Sequence, residues 1–154
     1  MIANFDTVIA WAIQESSGIG YFPPTVYRRA TIAIDAAVRD GTSFEHPDVM
    51  ARFAVIFSQR YFDALNAYLN PRPFERPTNV WLWHFVGLEY DEPIIFQHLL
   101  TAVDAHVNLD LGVAASQVAA ATCRTCTTTS TWSTPSLPVR FRRSSTRSAT
   151  SPRT

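Results

Sequence analysis

The chain contains no lysine: all 13 of its basic residues are arginine. Arginine used alone beside abundant alanine is what a G+C-rich genome would encode. Cysteine is nearly absent too, since Cys123 and Cys126 are the only pair, too few for a disulfide framework. No uncharged apolar run approaches the roughly 18 residues that a membrane-spanning helix needs. The first residues, Met1 to Asp6, lack the basic start and apolar stretch of a secretion signal. A cytoplasmic location with no membrane partner is therefore the expectation. Glycine-rich phosphate loops, nucleophile elbows and paired-histidine metalloprotease motifs are all missing. The Arg28-Arg29 pair is too small a basic patch to imply a specific nucleic-acid partner.

Acid is missing from one end only. All 13 acidic residues lie at or before Asp110, together with seven arginines, whereas residues 121–154 carry six arginines and no acid. The formal charge of zero thus hides a body near −6 and a tail near +6. With 154 residues, nearly half of them apolar, the chain has the size and composition of one globular domain.

Helical periodicity dominates what is present. Phe5, Val8, Ile9 and Ala12 share one face of a first helix that Ser16-Ser17-Gly18 should close. Phe22-Pro23-Pro24-Thr25 reads as a turn, with Pro24 in the first turn of the next helix. That helix carries Tyr27, Ala30, Ile34, Ala37 and Val38 as far as Asp40-Gly41. The strongest stripe is Val49, Phe53, Ile56, Phe57, Tyr61, Leu65 and Tyr68, opened by His46-Pro47-Asp48 and closed by Asn70-Pro71. Asn79 to Val86 suits a short helix, with a strand as the weaker alternative. Asp91-Glu92-Pro93 marks an acidic start for a last helix from about Ile94 to Ser116. The expected fold is all-α, a single-domain bundle of four to five helices over residues 1–120 with an irregular tail over 121–154.

About two thirds of that tail is Thr, Ser or Arg. It reads as a disordered basic extension or as out-of-frame translation, and codon logic favours the second. Shifting the frame back one nucleotide turns Thr codons into Asp, His, Asn or Tyr, and Cys or Trp codons into Leu, Val or Met. Residues 121–137 can then be reread as a Gly-Asp-Leu-Pro loop and an amphipathic helix. A lost closing helix would leave an apolar face uncovered, which predicts self-association. The Cys123-Arg-Thr-Cys126 motif within the tail is half a zinc site at most.

The chemistry-bearing stretch is His98 to Asp110. His106 and Asp110 are four residues apart, so they project from one helical face. Such a pair can share a divalent metal, or the carboxylate can orient the imidazole as a general base. His98 lies two turns earlier, about 12 Å along the axis, within reach of a common substrate but not of a common ion. Asp104 and Asn108 point to other sides. His84, in an aromatic run, can approach the others across the bundle, and His46 reads as a capping or surface residue. Two functions follow, and a third reading is an inactive frameshifted copy. One is an enzyme-like domain with His106, Asp110 and His98 as catalytic groups, His84 and Asn108 contacting substrate, and metal-assisted hydrolysis or acid/base chemistry. The other is a non-catalytic binding or scaffold module in which the same polar groups satisfy one another.

The run from Gln97 to Ala114, Gln-His-Leu-Leu-Thr-Ala-Val-Asp-Ala-His-Val-Asn-Leu-Asp-Leu-Gly-Val-Ala, resembles the signature helix of domain of unknown function 5995, an uncharacterised bacterial family. Residues 13–27 and the Phe57–Leu65 region are similar to it as well. The resemblance covers about residues 1–120 and implies an α-helical fold, with no activity to carry over. It places His98, His106, Asn108 and Asp110 at the family's most distinctive positions, while Asp104 stands where Asn is expected. It also implies a further loop and helix where the tail begins.

Overall fold

The computed structural model describes residues 1–15, 18–90 and 94–125. Helix α1 (Ile2–Gln14) is followed by α2 (Gly18–Asp40), α3 (Pro47–Leu69) and the short α4 (Asn79–Gly87). The last run comprises α5 (Ile95–Asp104), a π-helical turn (Ala105–Asp110) and α6 (Leu111–Thr125). Among the described residues there is no strand, only an isolated bridge between Arg72 and Glu75. The fold is all-α. No helix among them is long and apolar enough to cross a membrane.

Helices α1 and α2 pack together most extensively, and α3 receives α2, α4 and the final run. Phe5 and Val8 of α1, Tyr27 of α2, Tyr61, Phe62 and Leu65 of α3, and Trp81 and Phe85 of α4 form one buried cluster. Its rings meet mostly tilted or edge-on, as between Tyr27 and Tyr61 or Tyr61 and Trp81, the arrangement that ring quadrupoles favour.

Three features depart from the sequence reading. Pro23 and Pro24 do not form a turn; both lie inside α2, which begins at Gly18. As the sixth and seventh residues of that helix they remove two N–H groups that would otherwise bond to carbonyls one turn earlier. Both rings are fully buried, and that burial offsets the lost bonds. Second, the last helix is not uniform, because the π turn interrupts it. Third, it continues to Thr125, past residue 120. The side chains from Cys123 onward, and so the Cys123–Cys126 motif and residues 126–154, lie outside the described part of the chain.

Burial along α3 is uneven. Tyr61 and Leu65 are deeply buried, whereas Val49, Phe53, Ile56 and Phe57 are only half-buried. Val49 and Phe53 line an open apolar cleft of about 760 Å³ against Ala115, Val118 and Ala119 of α6. On the outer side of the final run, Phe96, Leu100, Val107 and Leu111 are exposed.

Candidate functional site

The π turn places Ala105, His106 and Asp110 in the interior. In a π-helix the backbone bonds five residues back instead of four, and such turns often occur at functional sites. Here the Leu111 N–H donates to the His106 carbonyl. Just before the turn, the Ala102 carbonyl accepts the Tyr27 hydroxyl at 2.9 Å.

Asp110 is the focus. Its carboxylate is fully buried and accepts three bonds from three helical segments. Arg60 of α3 donates Nε–H to Oδ1 at 2.5 Å. Trp81 of α4 donates its indole N–H to Oδ2 at 2.9 Å. His106 Nδ1 lies 3.2 Å from the same Oδ2. Burial by itself would raise the Asp110 carboxyl, but bonds from His106, Arg60 and Trp81 and the Arg60 charge outweigh it and hold it below the usual range. The group is therefore an anion, and a carboxylate anion can only accept, so Nδ1 of His106 carries the proton.

The imidazole of His106 is gripped on its faces. Phe57 stacks on it at 3.7 Å between ring centroids with a 13° tilt. Tyr27 lies 4.5 Å away, tilted by 41°. Burial raises the Tyr27 hydroxyl pKa, and the Asp110 charge raises it further, so Tyr27 stays a neutral donor. Nε2 of His106 has no partner among the described residues.

A second cluster adjoins Trp81, whose ring is 5.9 Å from His106 and 5.7 Å from His84. His84 Nδ1 is 3.0 Å from the Thr101 hydroxyl, which itself donates to the His98 carbonyl. Because the hydroxyl has one proton and spends it there, His84 must donate through Nδ1. That leaves a lone pair on His84 Nε2, which is buried without a partner. Burial, with the nearby His98 charge second, pushes the His84 pKa down to about 4. His98 itself is half-buried.

The structure therefore brings His106 and Asp110 together, groups His84 with His98, and sets the Trp81 ring near both His106 and His84. It leaves Asp104 and Asn108 outside: both are exposed, and Asn108 donates to Asp104. His46 is exposed at the start of α3 and makes no side-chain cap. Both Asp110 oxygens are engaged by N–H donors and His106 faces the carboxylate, a geometry that fits an oriented imidazole and does not fit a shared metal ion. Among the described residues no three His, Cys, Asp or Glu side chains gather around a common point.

The sequence reading gives no site role to the donors Arg60 and Trp81, and it places the stacking partners Tyr27 and Phe57 only on apolar stripes. A signal existed for the donors. A buried carboxylate requires N–H partners, and both an arginine embedded in an aromatic stripe and a tryptophan in a core helix supply them.

The same two donors border an outer groove of about 1090 Å³, Arg60 part-exposed and Trp81 buried beneath it. Its walls are the end of α3, the loop over residues 70–78 and the start of α4, with Arg60, Asp63, Arg72, Phe74, Arg76 and Trp81 among its lining residues.

A family model matches residues 1–132. The chain belongs to DUF5995, a family of unknown function. The match includes every side chain of the Asp110 cluster, so that cluster lies within the DUF5995 domain. It also reaches past residue 120, in keeping with the extension of α6 to Thr125. No curated protein and no solved structure gives a significant match.

Proposed function

We propose that this DUF5995 domain is a non-catalytic helical binding module whose recognition face is the groove between α3 and α4. One observation carries the reading: Arg60, which pairs with the buried Asp110, also opens onto that groove, and Trp81, the second donor to Asp110, lies buried beneath it. A ligand site needs side chains held in fixed rotamers by supporting bonds. Asp110 supplies that support from inside the core, and its own bonds are closed. Neither Asp110 nor His106 lines the groove or the apolar cleft.

A second reading has one specific support. His106 carries its proton on Nδ1 against a carboxylate and keeps Nε2 without a described partner, the arrangement of an oriented general base. In that reading His98 and His84 serve substrate from the neighbouring cluster.

Thermal-shift screening of a small-molecule library separates the two. A groove ligand raises the melting temperature through binding linkage, and mass spectrometry then shows whether it survives incubation. The binding module leaves the ligand intact with both the parent protein and His106→Gln. Consumption by the parent and not by His106→Gln would establish the enzyme instead.

The composition change after residue 120 also supports out-of-frame translation of the C-terminal segment. Sequencing the gene across codons 115–135 tests this, and stop codons in the alternative frame would end the idea.

A further inference from the structure

The loop that forms the rim of the groove contains an aromatic residue in an unfavourable place. Glu75 N–H donates to the Arg72 carbonyl at 3.1 Å, and the side chains of Arg72 and Glu75 approach to 3.6 Å. Residues 72–75 thus form a β-turn with Pro73 at its second position and Phe74 at its third. Phe74 has φ +68°, the left-handed value for which such turns select glycine or asparagine. Its side chain is fully exposed. The chain therefore accepts backbone strain and an exposed ring together, with no contact in the fold to offset either. Strain of this kind persists where the surrounding structure enforces it and gathers at ligand clamps.

The charges around the ring are unevenly matched. Arg72 is paired with Glu75, and Asp63 accepts from Gln59. Arg76 has no partner among the described residues. Arg60 spends only its Nε–H on Asp110, so its terminal nitrogens keep four of the five guanidinium N–H donors. Its side chain is 26 % exposed. The groove thus offers two arginine heads with unspent donors; of its acids Glu75 is paired with Arg72, and Asp63 is bonded to the neutral Gln59 amide. Its volume, about 1090 Å³, is just above the usual range of small-molecule sites.

We propose that this groove binds a small aromatic oxyanion, a phosphate or carboxylate borne on a planar ring, with the anion on Arg76 and the outer edge of Arg60 and the ring against Phe74. Guanidinium groups suit both oxyanions because their parallel N–H pairs match paired oxygens. The inference rests on the reading of the groove as the recognition face and adds its ligand chemistry.

The test is a titration of the isotopically labelled full chain with phenyl phosphate, followed by amide and indole NMR shifts. Inorganic phosphate, phenol and benzylammonium are run in parallel. Saturable shifts at residues 60–81, including the Trp81 indole, are expected with phenyl phosphate. Inorganic phosphate should bind more weakly, and phenol and benzylammonium should not saturate. Arg76→Gln should weaken phenyl phosphate about tenfold. Phe74→Ala should weaken it about threefold to tenfold while leaving inorganic phosphate unchanged. Arg39→Gln, which removes a surface ion pair on α2, should change nothing. Absence of saturation, shifts elsewhere, equal binding of benzylammonium, or indifference to Arg76→Gln would each overturn the proposal. Failure of the underlying reading looks different. If Asp110→Asn leaves amide exchange across residues 60–81 as it was, the core does not support the groove at all. If exchange rises but phenyl phosphate does not bind, only the ligand assignment falls.

Discussion

Trp81 donates its indole N–H to Asp110 at 2.9 Å, and this bond ties α4 to the π turn across the middle of the aromatic core. Trp81→Phe keeps most of the ring packing and removes one of three donors, so it should cost about 1–3 kcal/mol. Asp110→Asn is harsher. Its amide nitrogen would face N–H donors and the Arg60 charge would lose its counter-ion, at about 3–5 kcal/mol. Urea unfolding of both variants checks the order, and a larger loss for Trp81→Phe would contradict the central place given to the carboxylate.

Acid should destabilise the protein in two windows. His84 has a folded pKa of about 4, depressed from an unfolded value near 6.5. The stability tied to neutral His84 is complete above pH 6.5, falls as pH drops towards 4, and levels off below that. The change amounts to about 3 kcal/mol. Asp110 is also depressed, so its contribution is present above the normal carboxylate range and is lost at lower pH than that of His84. Replacing His84 by Phe should flatten the upper window alone in urea titrations at pH 7.5, 5.5 and 4. Superimposable profiles would remove His84 as the cause.

Phe74 provides a test that no contact can confuse. Phe74→Gly should raise stability by about 1 kcal/mol, because glycine adopts the left-handed conformation without penalty. Phe74→Ala should give no such gain, since alanine keeps the clash. Denaturation midpoints at constant m-value distinguish these outcomes, and equal effects of Gly and Ala would dismiss strain at this position.

Asn108→Ala should change stability by no more than about 0.5 kcal/mol, as expected for an exposed pair away from the core. Its only described side-chain partner is the equally exposed Asp104. A loss beyond about 1 kcal/mol in calorimetry would show that the surface pair contributes to the fold.

The helices were readable where period and punctuation agreed. The α3 stripe ran from His46 to Asn70, and α3 spans Pro47–Leu69; the aromatic run from Asn79 became a helix as expected. The His106–Asp110 pairing was also legible, because four residues bring two side chains onto one face. Pro23 and Pro24 misled because local rules assign prolines to helix starts, whereas their burial here is a tertiary effect. The π turn had no local signature that period counting could detect. Arg60 and Trp81 were missed because a pairing across three helical segments leaves no regular spacing in the chain.

The π turn also divides the last helical run into two phases. One residue corresponds to about 100° of rotation in an α-helix, so an insertion absorbed at residues 105–110 changes the direction in which every later side chain points. Phe96 and Leu100 precede this offset, and Ala114 and Val118 follow it. The second pair therefore turns into the bundle at positions that a straight extrapolation from the first would misplace. Deleting one residue here would re-aim all of α6 and turn Ala114 and Val118 away from the bundle, whatever residues the stretch then carried.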